Sequence, residues 1–170
     1  MVSQPKIEPL TKEAFAPFGD VIEANGAADF MINDGAAGRY HALCKVDAGF
    51  AGGTPAISIF RATRPTWPIQ LTLLERHPLG SQAFMPLSIH DWLAVVADPV
   101  DRPTIENVRV FRATGSQGVQ YARGTWHHPL VILEPTQDFL VVDRCVFGEG
   151  DTNNLEECPL PSGGIILDVD

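Results

Sequence analysis

Glu75, His77 and Gln82 fall within eight positions of one stretch, Glu75-Arg-His-Pro-Leu-Gly-Ser-Gln-Ala-Phe-Met-Pro86. A carboxylate, an imidazole and an amide can together transfer protons and hold a polar substrate. On a strand, Glu75 and His77 point to the same face, because side chains alternate with period two. Pro78 and Gly80 then turn the chain, and Gln82 and Phe84 share a face on the way back. The competing reading is a polar hairpin tip in water, since short motifs often arise by chance. A second polar concentration is Tyr121-Ala-Arg-Gly-Thr-Trp-His-His-Pro-Leu130. On an extended chain only one of His127 and His128 can face inward. His127 is the better candidate, because Gly124 has just opened the chain and Trp126 faces the other way. Alternatively, both rings satisfy backbone groups at a strand end.

The elements that must position these residues read as strands. Candidates are Asp20–Glu23, Arg39–Val46, Ala56–Ala62, Ile69–Arg76, Gln82–Leu87, Trp92–Ala97, Asn107–Ala113, Val119–Tyr121, Trp126–Glu134 and Phe139–Phe147. They are short, rich in branched and aromatic residues, and separated by turn residues, including many of the 14 prolines and 15 glycines. This pattern predicts an all-β sandwich or closed barrel. Helix is expected only at Thr11–Gly19, where Thr11 can cap and Phe15 and Phe18 can pack inward, and in a turn or so at Thr152–Glu157. Ala48–Pro55 reads as a loose surface loop. The apolar tip Ile165-Ile-Leu167 of the tail from Ser162 to Asp170 reads as docking on the body or on a partner, or as an untidy terminus.

The chain has 170 residues, which predicts one domain spanning 1–170 with a sizeable core. It is 45% hydrophobic and 19% charged, a globular composition. Its formal charge of −9 argues against nucleic acid and anionic membrane surfaces as partners, since these select clustered Lys and Arg. No apolar run approaches the length of a membrane span, and Met1–Leu10 lacks the blocks of a signal peptide. Cys44, Cys145 and Cys158 are scattered, with no C-x-x-C pair, which fits buried thiols in a reducing cytoplasm.

The two polar clusters lie about 50 residues apart, and together they resemble the paired motifs of the cupins, double-stranded β-helix (jelly-roll) barrels that bind metals. Those motifs carry His-x-His with a following Glu, and Pro-x-Gly-x-x-His. Here the first reads Glu75-x-His77 with Gln82, and the second Ala122-Arg-Gly124-Thr-Trp-His127. At a closer level, Glu75–Pro86 and Gly124–Leu130 are similar to the ureidoglycolate lyase family. So are Glu13–Glu23, Ile32-Asn-Asp-Gly35 with Arg39-Tyr-His41, Ser58-Ile-Phe-Arg61 and Phe139–Arg144. The similarity covers about residues 5–147; Gly124 departs from the larger polar residue the family tends to place before the Trp.

The resemblance implies a cupin-like homodimer that cleaves (S)-ureidoglycolate to glyoxylate and urea in the breakdown of allantoin. It also implies a divalent metal, nickel above all, although this ligand set does not secure one. If a metal binds, the candidate ligands are His77, Gln82 and His127. The reaction needs a base for the hydroxyl, an acid for the departing nitrogen and a clamp for the carboxylate. His77 and His127 are the expected proton carriers. Glu75 is either a base or the group that orients an imidazole, and Gln82 is a hydrogen-bonding partner for the ureido group. Arg39 and Arg61, each interrupting an apolar stretch, are the candidate clamps, and Asn33 is a further substrate contact. Asp143 reads as one half of a structural ion pair. Two other classes are weighed. A conventional metal-dependent cupin enzyme predicts a three-His, one-Glu set, which is lacking here. A non-catalytic carboxylate-binding cupin predicts affinity without turnover.

Overall fold

In the computed structural model, residues 5–147 and 153–169 are described. The strands are β1 (Ile7–Pro9), β2 (Gly19–Ile22), β3 (Phe30–Ile32), β4 (Ala37–Arg39), β5 (Thr54–Thr63), β6 (Ile69–Leu71), β7 (Leu73–Arg76) and β8 (Gln82–Pro86). They continue with β9 (Trp92–Ala97), β10 (Val108–Ala113), β11 (Gly118–Tyr121), β12 (Val131–Ile132), β13 (Thr136–Cys145), β14 (Glu156–Pro159) and β15 (Ile165–Leu167). The single α-helix among the described residues, α1 (Lys12–Phe15), follows its expected cap: the Ala14 amide donates to Thr11 Oγ1 at 3.2 Å.

Two sheets build the body, in the order β1-β10-β9-β12 and β2-β11-β8-β13-β5. The fold is all-β and cupin-like as expected. It is made of facing sheets, and no ring of paired strands closes it among the described residues. Between the sheets lies an aromatic core. Trp92 meets Phe139 edge-on at 5.1 Å, and Phe15 of α1 packs against Phe111 at 5.5 Å and Tyr121 at 6.1 Å.

All six residues of β9 are buried, which explains its unbroken apolar run. Trp92, Ala94 and Val96 face the second sheet, while Leu93, Val95 and Ala97 face backwards into a second core. The C-terminal tail supplies much of that second core through Cys158, Leu160, Ile165 and Leu167. The tail therefore docks on the body: β15 pairs with β6, and β14 pairs with β7.

Several expected elements differ. The strand expected over Arg39–Val46 stops at Arg39, and Phe30–Ile32 pairs with Ala37–Arg39 as a short hairpin. Beyond it the chain is held by side chains instead of a ladder. The Gln120 amide donates to the Lys45 carbonyl at 2.7 Å, and the Asp47 amide donates to Ser81 Oγ at 2.9 Å. Of the expected strand Trp126–Glu134 only Val131–Ile132 is regular, and Ile69–Arg76 is interrupted at Thr72. The helix expected at Thr152–Glu157 begins outside the described residues, and Glu156 and Glu157 open a strand. The loop at Ala48–Pro55 is tied down, because the buried Arg144 donates to the carbonyls of Phe50 (2.9 Å) and Ala51 (3.1 Å).

Candidate active site

The strands on either side of Pro78 do not form a hairpin. β7 pairs with β14, while β8 pairs with β11 and β13 in the other sheet. The turn from His77 to Ser81 thus carries the chain from one sheet to the other, with Glu75 and Gln82 on the two sides of the gap. His127 joins them across the backbone. It exchanges both hydrogen bonds with Glu75, at 2.7 and 2.8 Å, and makes a second bridge to Val96. A directly opposed pair of this kind puts both side chains on one face. Glu75 Oε1 accordingly lies 3.6 Å from His127 Nε2.

His77 completes the group. Its ring lies 5.4 Å from that of His127, and one ligand atom from each of Glu75, His77 and His127 falls within 4.8 Å of the others. Each imidazole has its Nδ1 against a backbone carbonyl, of Asn154 at 2.6 Å for His77 and of Thr125 at 2.9 Å for His127. A carbonyl only accepts, so each Nδ1 carries a proton, and each Nε2 turns towards Glu75 with a lone pair in the neutral ring. Neither buried Nε2 has a hydrogen-bond partner among the described residues. Two orphaned imidazole nitrogens facing a carboxylate, both rings pinned from behind, are a donor set suited to a divalent cation. Glu75 thereby belongs to the cluster, whereas the expected ligand set had Gln82 in that place. Gln82 stands nearby with its Nε2 3.3 Å from Asp143 Oδ2 and its buried Oε1 without a partner. Asp143 thus meets Gln82 among the described residues.

A cavity of about 380 Å³ opens onto this cluster, walled by Glu75, Gln82, Phe84, Tyr121, His127 and His128. His77 reaches the cluster from behind and is not part of the wall. Contrary to the expected alternation, both His127 and His128 line the cavity. Alternation requires a regular strand, and this segment is held only by isolated bridges before Pro129 turns it. Tyr121 went unassigned in the sequence, although it lies on the inward face of β11 opposite Gln82. Its ring stacks on His127 at 4.2 Å, carrying the packing of Phe15 through to the site.

Electrostatics separate the roles. Burial raises the pKa of Glu75, but the His127 side chain beside it, with His77 and His128 nearby, outweighs burial and holds the carboxyl below its ordinary value. Burial pushes His128 down, against the Pro129 carbonyl and Glu75, so its ring is neutral near pH 7. Burial, reinforced by the charge of Glu75, pushes the Tyr121 phenol up and keeps it protonated.

The candidate clamps lie elsewhere. Arg61 is at the cavity mouth, but its guanidinium faces outward in a two-pronged pair with Asp138 at 2.8 and 2.9 Å. Arg39 and Asn33 sit on the β3–β4 hairpin, away from the cavity wall, with Asn33 in the turn at φ 53°.

Asn154 is the residue that holds His77 in place. Its backbone carbonyl accepts from His77 Nδ1, and its Oδ1 accepts from the Leu79 amide at 2.8 Å. Asn154→Ala keeps that backbone carbonyl but removes the Oδ1 that fixes the segment on Leu79, and is expected to lower activity by about 10-fold by loosening the carbonyl against which His77 is set. It is also expected to cost about 1–3 kcal/mol by stranding the Leu79 amide. Steady-state kinetics and thermal unfolding check both; unchanged kinetics would show that His77 is oriented by other means.

The family model described as ureidoglycolate lyase matches residues 3–167. A ureidoglycolate lyase of Pseudomonas entomophila (strain L48) is 50% identical over 161 residues, covering 95% of this chain and 94% of its own. One from Stutzerimonas stutzeri (strain A1501) is 53% identical over 151 residues, covering 89% and 86%. One from Burkholderia mallei (strain NCTC 10229) is 50% identical over 155 residues, covering 91% and 88%. With its carboxylate and imidazoles gathered at one cavity, the chain belongs to the ureidoglycolate lyase family of enzymes.

Proposed function

We propose that this chain cleaves (S)-ureidoglycolate to glyoxylate and urea at the cavity floored by Glu75 and His127, working as a single-domain, cytoplasmic homodimer. The observation that carries the reading is a carboxylate held ionised opposite orphaned imidazole nitrogens, in a member of this family. The family likeness supports the cytoplasm and the dimer; among the described residues, no helix is long and apolar enough to cross a membrane.

The reaction is an elimination. The substrate hydroxyl gives its proton to Glu75, the carbon–oxygen double bond of glyoxylate forms, and the carbon–nitrogen bond breaks. The departing nitrogen takes a proton and leaves as urea, so no water is consumed. His127 Nε2, 3.6 Å from the Glu75 oxygen, is placed to take the proton from Glu75 and pass it to the departing nitrogen. The free Oε1 of Gln82 accepts from a ureido N–H, with the amide oriented by Asp143.

Glu75, His77 and His127 would also hold a divalent cation, nickel by family resemblance, which would supply Lewis-acid polarisation of a substrate oxygen. With His127 so engaged, His128, whose ring lines the cavity and whose Nδ1 is held by the Pro129 carbonyl at 2.8 Å, would take its place in relaying the hydroxyl proton to the leaving nitrogen. Metal analysis of the purified protein decides between these two proton donors.

Incubation with (S)-ureidoglycolate is expected to yield urea and glyoxylate in equal amounts and no ammonia. Release of ammonia would mean hydrolysis of the ureido group and would overturn this reading.

A further inference from the structure

The cavity has a base, imidazoles and an amide, but lacks a cation committed to the substrate carboxylate. Among the described residues that line it, the one guanidinium belongs to Arg61, which Asp138 already engages from the outer side. An alkyl carboxylate bound beside Glu75 calls for a cationic side chain of its own, since a cation held by Glu75, His77 and His127 would be partly neutralised by Glu75 itself.

The β3–β4 hairpin is ordered and uncovered at once. Asn33 and Asp34 both adopt positive φ in its turn, and the Ala36 amide closes the turn on the Asn33 carbonyl at 3.0 Å. Its base is pinned by the Tyr40 hydroxyl donating to Gly26 and by the His41 amide donating to Asp29. Yet Phe30, Met31 and Ile32 are 54%, 63% and 39% exposed. A two-stranded ribbon is marginal in water by itself, and an apolar patch of this kind marks a contact surface.

A second uncovered apolar surface lies at the cavity mouth. β5 is the edge strand of its sheet, and Ile57 and Ile59 on it are exposed, two to four residues before Arg61. An open edge with exposed branched residues is a ready docking strand.

We infer that the β3–β4 hairpin of one copy of this chain lies across β5 of a second copy and places Arg39 at the mouth of that copy's cavity as the carboxylate clamp. Arg39 stands directly opposite Phe30 in the hairpin register, so seating Phe30 on the partner carries the guanidinium with it. A two-fold axis makes the exchange reciprocal, completes both cavities and covers both hairpins. The inference rests on the proposed reaction, since the clamp is for the carboxylate of ureidoglycolate.

The test is complementation between two inactive chains. Arg39→Ala, exposed and outside the core, is expected to fold normally and to lose about 100-fold in kcat/KM, as for a missing charged hydrogen-bond partner. Arg39→Lys is expected to recover part of the loss. Co-expressed with a Glu75→Gln chain, Arg39→Ala is expected to regain about a quarter of wild-type activity, because half of the dimers are mixed and each mixed dimer has one complete cavity. Activity no greater than the sum of the two variants alone, or wild-type activity in Arg39→Ala, would overturn the inference. Sedimentation decides the docking separately: wild type is expected to be a dimer and Met31→Asp to dissociate, and a monomeric wild type would also overturn it. Retained activity in Glu75→Gln would instead count against the reaction assigned to the cavity and leave the sedimentation result to judge the hairpin.

Discussion

Glu75→Gln lowers kcat/KM for (S)-ureidoglycolate by about 10²- to 10⁴-fold while leaving the protein folded; this is the expected result, on the scale of a lost proton-transfer group. Gln preserves the shape of the side chain, and the two bonds that tie Glu75 to His127 are between backbone groups, so the local pairing survives. What disappears is the negative charge 3.6 Å from His127 Nε2 and the ability to take a proton from the hydroxyl. Kinetics with urea as the measured product, alongside circular dichroism, check the outcome. A Glu75→Gln enzyme that turns over normally would remove Glu75 from the chemistry. The substitution also carries a signed stability effect. The folded-state pKa of Glu75 is depressed, so its ionised form contributes stability above the ordinary glutamate pKa and loses it as pH falls through the lowered value. The wild type is therefore expected to lose its advantage over the variant on acidification, not at neutral pH.

Removal of residues 148–170 is expected to leave a chain with no cooperative thermal transition. The tail is a structural layer. Leu160, Ile165 and Leu167 are buried behind β9, and burying three such side chains is worth about 5–9 kcal/mol. That is comparable to the whole stability of an ordinary domain, about 5–15 kcal/mol. The same cut takes β14 from β7 and takes Asn154 from His77, so the site loses its support as the core loses its cover. Solubility on expression and thermal melting check the prediction. A truncated chain that melts like the full one would show that the second core is dispensable.

Much of this protein is legible in its residues taken a few at a time. Trp92–Ala97 is a strand because branched and aromatic residues favour the pleated chain, and its unbroken apolar character reports two covered faces. Thr11 caps a short helix because its hydroxyl reaches the Ala14 amide. The grouping of Glu75, His77, Gln82 and His127 follows from motif spacing and family likeness, and the structure brings the four to one place. Less legible was everything that depends on which strand meets which. Pro78 and Gly80 read as a turn that brings the chain back as in a hairpin; only the pairing of β7 with β14 and of β8 with β11 and β13 shows that it crosses between sheets. The tail left docking on the body, docking on a partner and a loose end all open, because its three apolar residues have no local partner. Their partner, β6, lies about 95 residues earlier.

The sequence by itself thus determined the chemistry available: a carboxylate, histidines and an amide on short strands of an all-β chain. Local propensity and period-two alternation act over a few residues and are written in them. The tertiary structure alone decided the arrangement. It bridged His127 to Glu75, aimed two pinned imidazoles at one carboxylate, let both His127 and His128 reach the cavity, and left Arg39 on an uncovered hairpin. These outcomes depend on contacts between residues tens of positions apart, whose free energy comes from burial and register and from no single segment.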